Sequence, residues 1–352
     1  MADNSGSGAG GERVTGIRPD AVTQWFSENV EGVQPPLGFE VLAGGHSNLT
    51  YRVGDATGAS WVLRRPPTGL VLATAHDMAR EYRIIAALGP TAVPVPQAIG
   101  LCEDESVNDA PFYVMSHVEG TVLAQDVEAE AFSLDQRAVI GRSVADVLGA
   151  LHTVDPDAVG LGELGRKEAY LTRQIKRWRR QWSESKTREL AAMDEVAAAL
   201  EQHMPEQIGA AIVHGDYRLG NMMVRPDGVA AVLDWELCTL GDPLADVGYV
   251  LNNWVQPGEM QVGRGAANSP TMAGGFGSRQ QLVERYEEIT GRSVGDVSYY
   301  QAFQYWRLAA IVEGVLARYL EGVMANEADT DIFRDQVENL ATAALDLAEG
   351  WS

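Results

Sequence analysis

Three oxygen-bearing side chains, Asp216, Asn221 and Asp234, are spaced so that a proton acceptor could lie beside two ligands for a divalent cation. Asn221 follows Asp216 by five residues, and Asp234 comes after two short apolar runs that are separated by Pro-Asp-Gly at 226–228. This turn sequence predicts a hairpin, because Pro presets φ and Gly tolerates positive φ. The start of one antiparallel strand lies beside the end of its partner, so we expect Asn221 and Asp234 to meet. Amide and carboxylate oxygens suit a magnesium ion that also binds phosphate oxygens.

The order of Asp, Asn and a second Asp around a hairpin resembles the arrangement of catalytic base and metal ligands in kinases. The triplets His214-Gly-Asp216 and Asp234-Trp-Glu236 are similar to those of the aminoglycoside phosphotransferase and choline kinase family. The branch that the chain resembles includes the phosphotransferase domain fused to some acyl-CoA dehydrogenases. This resemblance implies an α+β, bilobal protein-kinase-like fold. We expect a flexible tail at 1–17, a small β-rich N-lobe at 18–118 and a larger helical C-lobe at 119–352.

The resemblance also implies roles for the residues of the central motif. Asp216 would accept the proton of a substrate hydroxyl, while Asn221 and Asp234 would bind magnesium beside the phosphates of ATP. His214 would hold the loop by hydrogen bonds, since magnesium prefers oxygen ligands. Arg218 could contact phosphate or substrate, or could pair with a nearby carboxylate, and the sequence leaves both open.

Nucleotide binding is expected in the N-lobe. The resemblance places a cationic residue on the third strand and pairs it with a glutamate of the next helix, and here Arg64 and Glu81 take these places. Arg64 stands where the family has Lys, and an Arg64–Glu81 pair of purely structural value is the alternative. The Ser47 hydroxyl would donate to a phosphate oxygen, and the backbone of Ser116 and Val118 would bind adenine.

Three further carboxylates follow the motif. Asp242 precedes Pro243 and is expected to cap a helix, whereas Asp246 is the candidate that braces the catalytic loop. Glu236 could reach magnesium or substrate, or could be solvated.

Hydrophobic periodicity predicts the elements that position these residues. A helix is expected from about Pro19 to Val30 and another from Thr74 to Leu88, with five strands around them. From about Gln136 the chain is predicted to be helical, with the hairpin after Asn221 as the single strand pair. The segment 256–277 is predicted to be a mobile lid or a disordered insertion. The predicted strands lie at 39–42, 49–53, 61–64, 98–102 and 111–115, and the predicted later helices lie at 139–151, 166–183, 188–203, 243–254, 279–290, 299–324 and 332–348.

Composition limits the function classes. The formal net charge is −22, which disfavours binding to nucleic acid or to anionic membranes and favours a cationic partner or simple solubility. Two cysteines, Cys102 and Cys238, are too few for a disulfide framework or a cysteine-based zinc site. No basic and apolar leader opens the chain and no apolar run is long enough for a membrane span, so a cytoplasmic protein is expected.

The acceptor is the least determined part of the function. A small molecule with a hydroxyl group is implied, and an aminoglycoside-type antibiotic fits the negative charge. The alternatives are a hydroxyacyl-CoA or another hydroxylated metabolite, or a nucleotide-binding module without catalysis. Five basic residues between Arg173 and Arg180 could meet the phosphates of coenzyme A or form the solvated face of a helix. The sequence does not determine the oligomeric state.

Overall fold

The protein was analysed as a computed structural model, which describes residues 14–42, 48–68, 77–263, 268–323 and 328–351. It divides into two compact units. One comprises the described residues up to Ala86 together with Pro96–His117, and the other comprises Ala87–Val95 and the described residues from Val118 onward. The first unit is built on a sheet and the second mainly on helices, which confirms the predicted α+β class.

The sheet of the smaller unit is antiparallel and five-stranded, in the order β1-β2-β3-β5-β4. Its inward face is apolar because alternate residues of each strand face one side; Tyr51, Val53 and Leu63 are buried there beneath Phe26 of the first helix. The strands are β1 Gly38–Val41, β2 Leu49–Gly54, β3 Ser60–Arg65, β4 Ala98–Cys102 and β5 Phe112–Ser116, and the helices of this part are α1 Pro19–Asn29, α2 Met78–Leu88 and α3 Glu105–Asn108.

The larger unit contains the predicted helices and, among its described residues, two small sheets of two and three strands. Its helices are α4 Asp126–Ala129, α5 Leu134–Thr153, α6 Tyr170–Ser185, α7 Ala191–Gln202, α8 Leu244–Asn253, α9 Arg279–Thr290, α10 Ser298–Leu320 and α11 Thr330–Ala348. Its strands are β6 Thr121–Val122, β7 Ala211–Val213, β8 Met222–Arg225, β9 Gly228–Val232 and β10 Thr239–Gly241. Each helix predicted from periodicity is found, and the described ends differ from the prediction by at most five residues. The predicted ends at Thr74 and Met324 lie outside the described residues.

The expectation of a single strand pair in this unit is wrong. Strands β8 and β9 form the predicted hairpin, but β6 pairs with β8, and β7 pairs with β10. These extra strands have two or three residues each, too few to show the alternation by which a strand is predicted. The β7–β10 pair matters for function, because the chain leaves β7 directly into the His214 segment.

The described part of segment 256–277 is packed against the helices. A single 3₁₀ turn at Pro270–Ala273 contains buried Thr271, whose hydroxyl donates to the Val255 carbonyl at 2.8 Å. Arg137 of α5 donates to the Ala273 carbonyl at 2.6 Å. These buried bonds do not fit disorder of residues 268–277.

The described helices differ from membrane-spanning helices in their combination of length and hydropathy. None of them combines the length and the hydropathy that crossing a bilayer requires.

Candidate active site

The loop that carries Asp216 begins where β7 ends. Ala211–Val213 is fully buried, and the chain then turns through Gly215, which has a φ of +85°. A side chain at Gly215 would be strained by this φ, and its Cβ would come within 2.9 Å of the Leu237 carbonyl oxygen. Glycine at this position therefore lets the backbone reverse tightly between the strand and Asp216.

Asp246 of α8 holds the backbone of this turn. Its buried carboxylate accepts the N–H groups of His214 at 2.7 Å and Gly215 at 2.9 Å. Burial alone would raise the pKa of Asp246, but the hydrogen bond and charge of His152, with the loop donors, outweigh it and lower the pKa. Asp246 is thus an ionised brace of the loop, in the place that the sequence predicted.

His214 fixes the loop from the inside. Its Nδ1 accepts the Asp216 backbone N–H at 3.2 Å, so its Nε2 carries the proton and donates to the Leu233 carbonyl at 2.9 Å. The ring is buried against Trp235 at a centroid distance of 4.7 Å. The imidazole therefore joins the loop to the end of β9.

Asp216 is the half-exposed carboxylate at the centre of the loop. Its Oδ1 accepts from Arg218 Nε at 3.1 Å, and its Oδ2 accepts from Asn221 Nδ2 at 2.6 Å. Burial by itself lowers the pKa of the Arg218 guanidinium, but the charges of Asp216 and Asp234 outweigh burial and raise it. Of the two possibilities for Arg218, the structure shows the carboxylate pair.

Asp234 lies beside Asn221 at the open end of the hairpin. Met222 pairs with Val232, and the Leu233 N–H donates to the Asn221 carbonyl at 2.8 Å, so Asp234 follows at once. Asp234 has a φ of +65°, a left-handed conformation that Asp tolerates better than most residues. The loop and hairpin thus bring Asp216, Asn221 and Asp234 together, as their spacing predicted.

The donor set fits a magnesium ion. The Asn221 amide gives its Nδ2 to the Asp216 backbone and side chain, and its Oδ1 accepts no hydrogen bond within the described chain. Among the described residues no group of three or more His, Cys, Asp and Glu side chains could hold a metal. Magnesium does not need one, since it commonly takes one or two protein oxygens and completes its shell with water and phosphate.

The smaller unit brings Arg64 and Glu81 together. Arg64 Nε lies 3.3 Å from Glu81 Oε2, and both side chains are almost fully buried. Glu81 also accepts from Asn48 at 3.0 Å and from the Tyr113 hydroxyl at 3.1 Å. The neighbouring Arg65 donates instead to backbone carbonyls, including that of Pro66 at 2.9 Å, so Arg64 is the arginine that pairs with α2, as predicted.

The other residues that the sequence predicted for the site are Ser47, Ser116, Val118 and Glu236. Ser47 lies outside the described residues. The Ser116 N–H donates to the Gln97 carbonyl at 2.9 Å, so a nucleotide would have to use other backbone groups near Ser116 and Val118. Glu236 is half-buried in a 3₁₀ turn after Asp234.

Asp242 caps α8, as its position before Pro243 predicted. Its carboxylate accepts the Leu244 N–H at 3.1 Å and the Tyr300 hydroxyl at 2.8 Å. Burial raises the pKa of Asp242.

Sequence reasoning did not find three residues that contact the loop or its brace. Arg307 of α10 donates to the Gly215 carbonyl at 2.8 Å. Tyr249 of α8 lies near the loop, where burial and then the charge of Asp216 raise the pKa of its hydroxyl. His152 of α5 lies 3.3 Å from Asp246, and its Nδ1 lies 2.9 Å from the Tyr286 hydroxyl. The sequence contains only weak signals for these residues. Arg307 is a charged residue within a largely apolar helix, and Tyr249 follows Asp246 by one helical turn.

The family comparison agrees with this site. The model of the phosphotransferase enzyme family matches residues 38–280, which is more than half of the chain. This range includes Asp216, Asn221 and Asp234 as well as Arg64 and Glu81.

Curated relatives share about a third of their residues with the chain. Acyl-CoA dehydrogenase family member 10 of Mus musculus is 35% identical over 307 residues, covering 86% of this chain and 28% of its own length. Acyl-CoA dehydrogenase family member 11 of Gallus gallus is 33% identical over 319 residues, covering 89% of this chain and 40% of its own. The chain therefore spans well under half the length of these relatives.

Solved structures extend the likeness to the whole fold. A Ralstonia eutropha JMP134 protein, provisionally assigned as an aminoglycoside phosphotransferase, is 36% identical with a TM-score of 0.79, covering 94% of this chain and 98% of that one. An aminoglycoside phosphotransferase in complex with ADP and hygromycin B has a TM-score of 0.60 at 14% identity, covering 95% and 99% of the two chains, and shows the fold alone. The kinase-like fold is thereby confirmed. The chain belongs to the phosphotransferase enzyme family and is a small-molecule kinase that acts on hydroxyl groups.

Proposed function

We propose that the chain transfers the γ-phosphoryl group of ATP, with magnesium, to a hydroxyl of a hydroxylated acyl thioester such as a hydroxyacyl-CoA. The observation that carries the chemistry is the meeting of Asp216 with Asn221 and Asp234 on one loop and its hairpin. Arg64 and Glu81, with Ser47, Ser116 and Val118, are the proposed nucleotide-binding residues.

Asp216 is proposed as the catalytic base. Its carboxylate takes the proton of the acceptor hydroxyl, the acceptor oxygen forms a bond to the γ-phosphorus, and the bond from that phosphorus to the β–γ bridging oxygen breaks to release ADP. Arg218, bonded to Asp216, is positioned to move onto a phosphoryl oxygen as the proton arrives, because its partner then loses its charge.

Asn221 and Asp234 are proposed to hold magnesium through Oδ1 and a carboxylate oxygen. When bound, the ion neutralises charge on the phosphate oxygens. Removing one ligand should weaken nucleotide binding only when magnesium is present. We expect Asp234→Ala to raise the Kd for ATP about tenfold or more with magnesium, measured by calorimetric titration; an unchanged magnesium titration would contradict the assignment.

Local charge favours an anionic acceptor. Arg218 and Arg307 contact the loop, and Arg177 of α6 lies near Arg307: partial burial, and then repulsion by Arg307, lower the pKa of Arg177. The net charge of −22 favours a cationic acceptor instead. Because salt screens charge beyond about 8 Å at physiological ionic strength, the nearby guanidinium groups should dominate. The named relatives at 33–35% identity, which are acyl-CoA dehydrogenase family members, support the same acceptor class.

An aminoglycoside is the second candidate. The 36% identical Ralstonia protein supports it through its provisional assignment, and the overall acidity of the chain fits a polycation.

The test compares acceptors and variants. Release of ADP is measured with ATP, magnesium and either a hydroxyacyl-CoA or kanamycin, for the wild type, Asp216→Asn and the control Asp227→Asn. Asp227 is exposed in the hairpin turn, so its variant makes the same change of charge away from the loop. We expect turnover with the thioester to fall at least about a thousandfold in Asp216→Asn and to stay within twofold in the control.

The outcomes separate the candidates. Turnover with kanamycin alone would select the second candidate. Magnesium-dependent ATP binding without turnover on any acceptor would select the nucleotide-binding module instead. Near-normal turnover in Asp216→Asn would overturn the base assignment.

A further inference from the structure

Arg307 is a buried cation whose hydrogen bonds go to neutral groups. Its Nη1 donates to Gln304 Oε1 and its Nη2 to the Gly215 carbonyl, both at 2.8 Å. The guanidinium also lies over the rings of Trp178 and Tyr249, at 5.6 and 5.9 Å from their centroids. A buried charge is costly unless it is well compensated, and no ion pair includes Arg307 within the described chain. Its hydrogen bond to the Gly215 carbonyl instead connects it to the loop that carries Asp216.

The hydrogen bond from Arg307 helps to fix the orientation of one peptide plane. The peptide that joins Gly215 to Asp216 presents the Gly215 carbonyl, which Arg307 holds, and the Asp216 N–H, which His214 Nδ1 accepts at 3.2 Å. Because a peptide unit is planar, holding both polar groups fixes its orientation. The direction in which the Asp216 side chain leaves the backbone is then largely set.

Tyr249 supports the guanidinium of Arg307. It lies one turn after Asp246 on α8, so both side chains project toward the loop. Its ring packs beside the Arg307 guanidinium, which lies 5.9 Å from the ring centroid. The ring therefore helps to hold the guanidinium against the Gly215 carbonyl, while the Asp216 carboxylate itself accepts from Arg218 and Asn221.

We propose that Arg307 and Tyr249 are positioning residues that together aim the Asp216 carboxylate at the acceptor hydroxyl. Arg307 sets the peptide plane before Asp216, and the ring of Tyr249 holds the Arg307 guanidinium in place. This inference rests on the proposed role of Asp216 as base, and it assigns part of that role to two helices outside the loop.

The kinetic test uses variants of both residues. Tyr249→Leu removes the ring beside Arg307, so we expect kcat to fall about tenfold while the KM for ATP stays within twofold. Arg307→Lys keeps the charge but loses the planar fork, and kcat should fall about a hundredfold. In Arg307→Ala, millimolar guanidinium ion should restore at least a tenth of the lost kcat, because the rings of Trp178 and Tyr249 leave a site for it.

Two controls separate positioning from stability. Tyr299→Leu removes a buried tyrosine ring, together with its hydroxyl bond to the Leu200 carbonyl at 2.8 Å. Arg137→Lys disturbs another buried guanidinium that donates to backbone carbonyls, including those of Ala129 and Phe132 at 2.9 Å. Both should lower the melting temperature as much as the test variants do and leave kcat within twofold. Equal losses of kcat in the controls would show a structural role and overturn the proposal.

A readout that needs no turnover keeps this inference distinct from the proposed function. Crystal structures of Tyr249→Leu and Arg307→Lys should show the Asp216 carboxylate rotated or displaced relative to the wild type, with Asn221 and Asp234 in place. An unchanged carboxylate in both variants would overturn the positioning role even if the enzyme is active. A displaced carboxylate, with a wild type that phosphorylates no acceptor, would support positioning and refute the proposed reaction.

Discussion

Two buried carboxylates, one in each unit, organise their surroundings in different ways. Asp246 in the larger unit accepts two backbone N–H groups of the loop and lies 3.3 Å from His152 Nε2. The carboxylate of Glu81 in the smaller unit lies against side chains, among them those of Asn48, Tyr113 and Arg64. Asp246 therefore fixes the path of the backbone in the loop, whereas Glu81 fixes the orientation of the Arg64 side chain.

This difference predicts different kinds of damage. Backbone N–H groups cannot move without moving the loop, so a change at Asp246 should alter the geometry of Asp216 as well as stability. Side chains can find other rotamers, so a change at Glu81 should mainly release Arg64.

The largest effect is expected for Asp246→Asn. The amide can accept one of the loop N–H groups but turns its own N–H₂ toward the other, so the unfolding free energy should fall by about 2–4 kcal/mol. Transfer should fall about a hundredfold because the loop shifts. Urea unfolding and initial rates measure the two effects. Full activity in a folded Asp246→Asn variant would refute the idea that this carboxylate shapes the loop.

A smaller and differently distributed effect is expected for Glu81→Gln. The unfolding free energy should fall by about 1–2 kcal/mol, and the KM for ATP should rise about tenfold because Arg64 loses its orientation. The kcat at saturating ATP should stay within threefold. Glu40→Gln, an exposed change on β1, is the control. A loss confined to kcat would show that Glu81 does not act through nucleotide binding.

The smallest effects are expected in the pH dependence of stability. Asp246 and Asp242 are both buried at the start of α8, but folding shifts their pKa values in opposite directions. The pKa of Asp246 is lowered by folding, so its stabilisation is present above the unfolded pKa of about 3.9 and is lost as pH falls through the lower folded value. The pKa of Asp242 is raised by burial, so its protonation stabilises the fold as pH falls from 7 toward about 4.

Unfolding free energies between pH 7 and pH 3 measure this contrast. The stability advantage of the wild type over Asp246→Asn should shrink below about pH 4, whereas its advantage over Asp242→Asn should grow as pH falls toward that value. Parallel curves for the two variants would contradict the assigned directions.

The sequence predicted the parts of the site that depend on local pattern. The Pro-Asp-Gly turn at 226–228 set the hairpin and hence the meeting of Asn221 and Asp234. Family resemblance selected Arg64 as the partner of Glu81. The Asp246 brace was predicted by family resemblance. Each of these depends on neighbours within a strand, a turn or a known motif.

The contacts that the sequence did not predict are long-range. Arg307 reaches Gly215 across 92 positions of the chain, and no periodicity links them. Strand β10 is too short to show alternation, so its pairing with β7 was missed. The hydroxyl of Tyr249 has no signal of its own, because an aromatic residue at helical spacing is usually core.

The catalytic loop owes its shape to partners far from it in sequence. Arg307 and Asp246 hold Gly215, and the Tyr217 hydroxyl donates to the Val144 carbonyl of α5 at 2.8 Å. A graft of residues 214–221 onto a foreign scaffold would thus carry the reactive groups without the three helices that shape them. Transplanting this chemistry would require matching positions on α5, α8 and α10, which makes the helical packing itself part of what an engineer must copy.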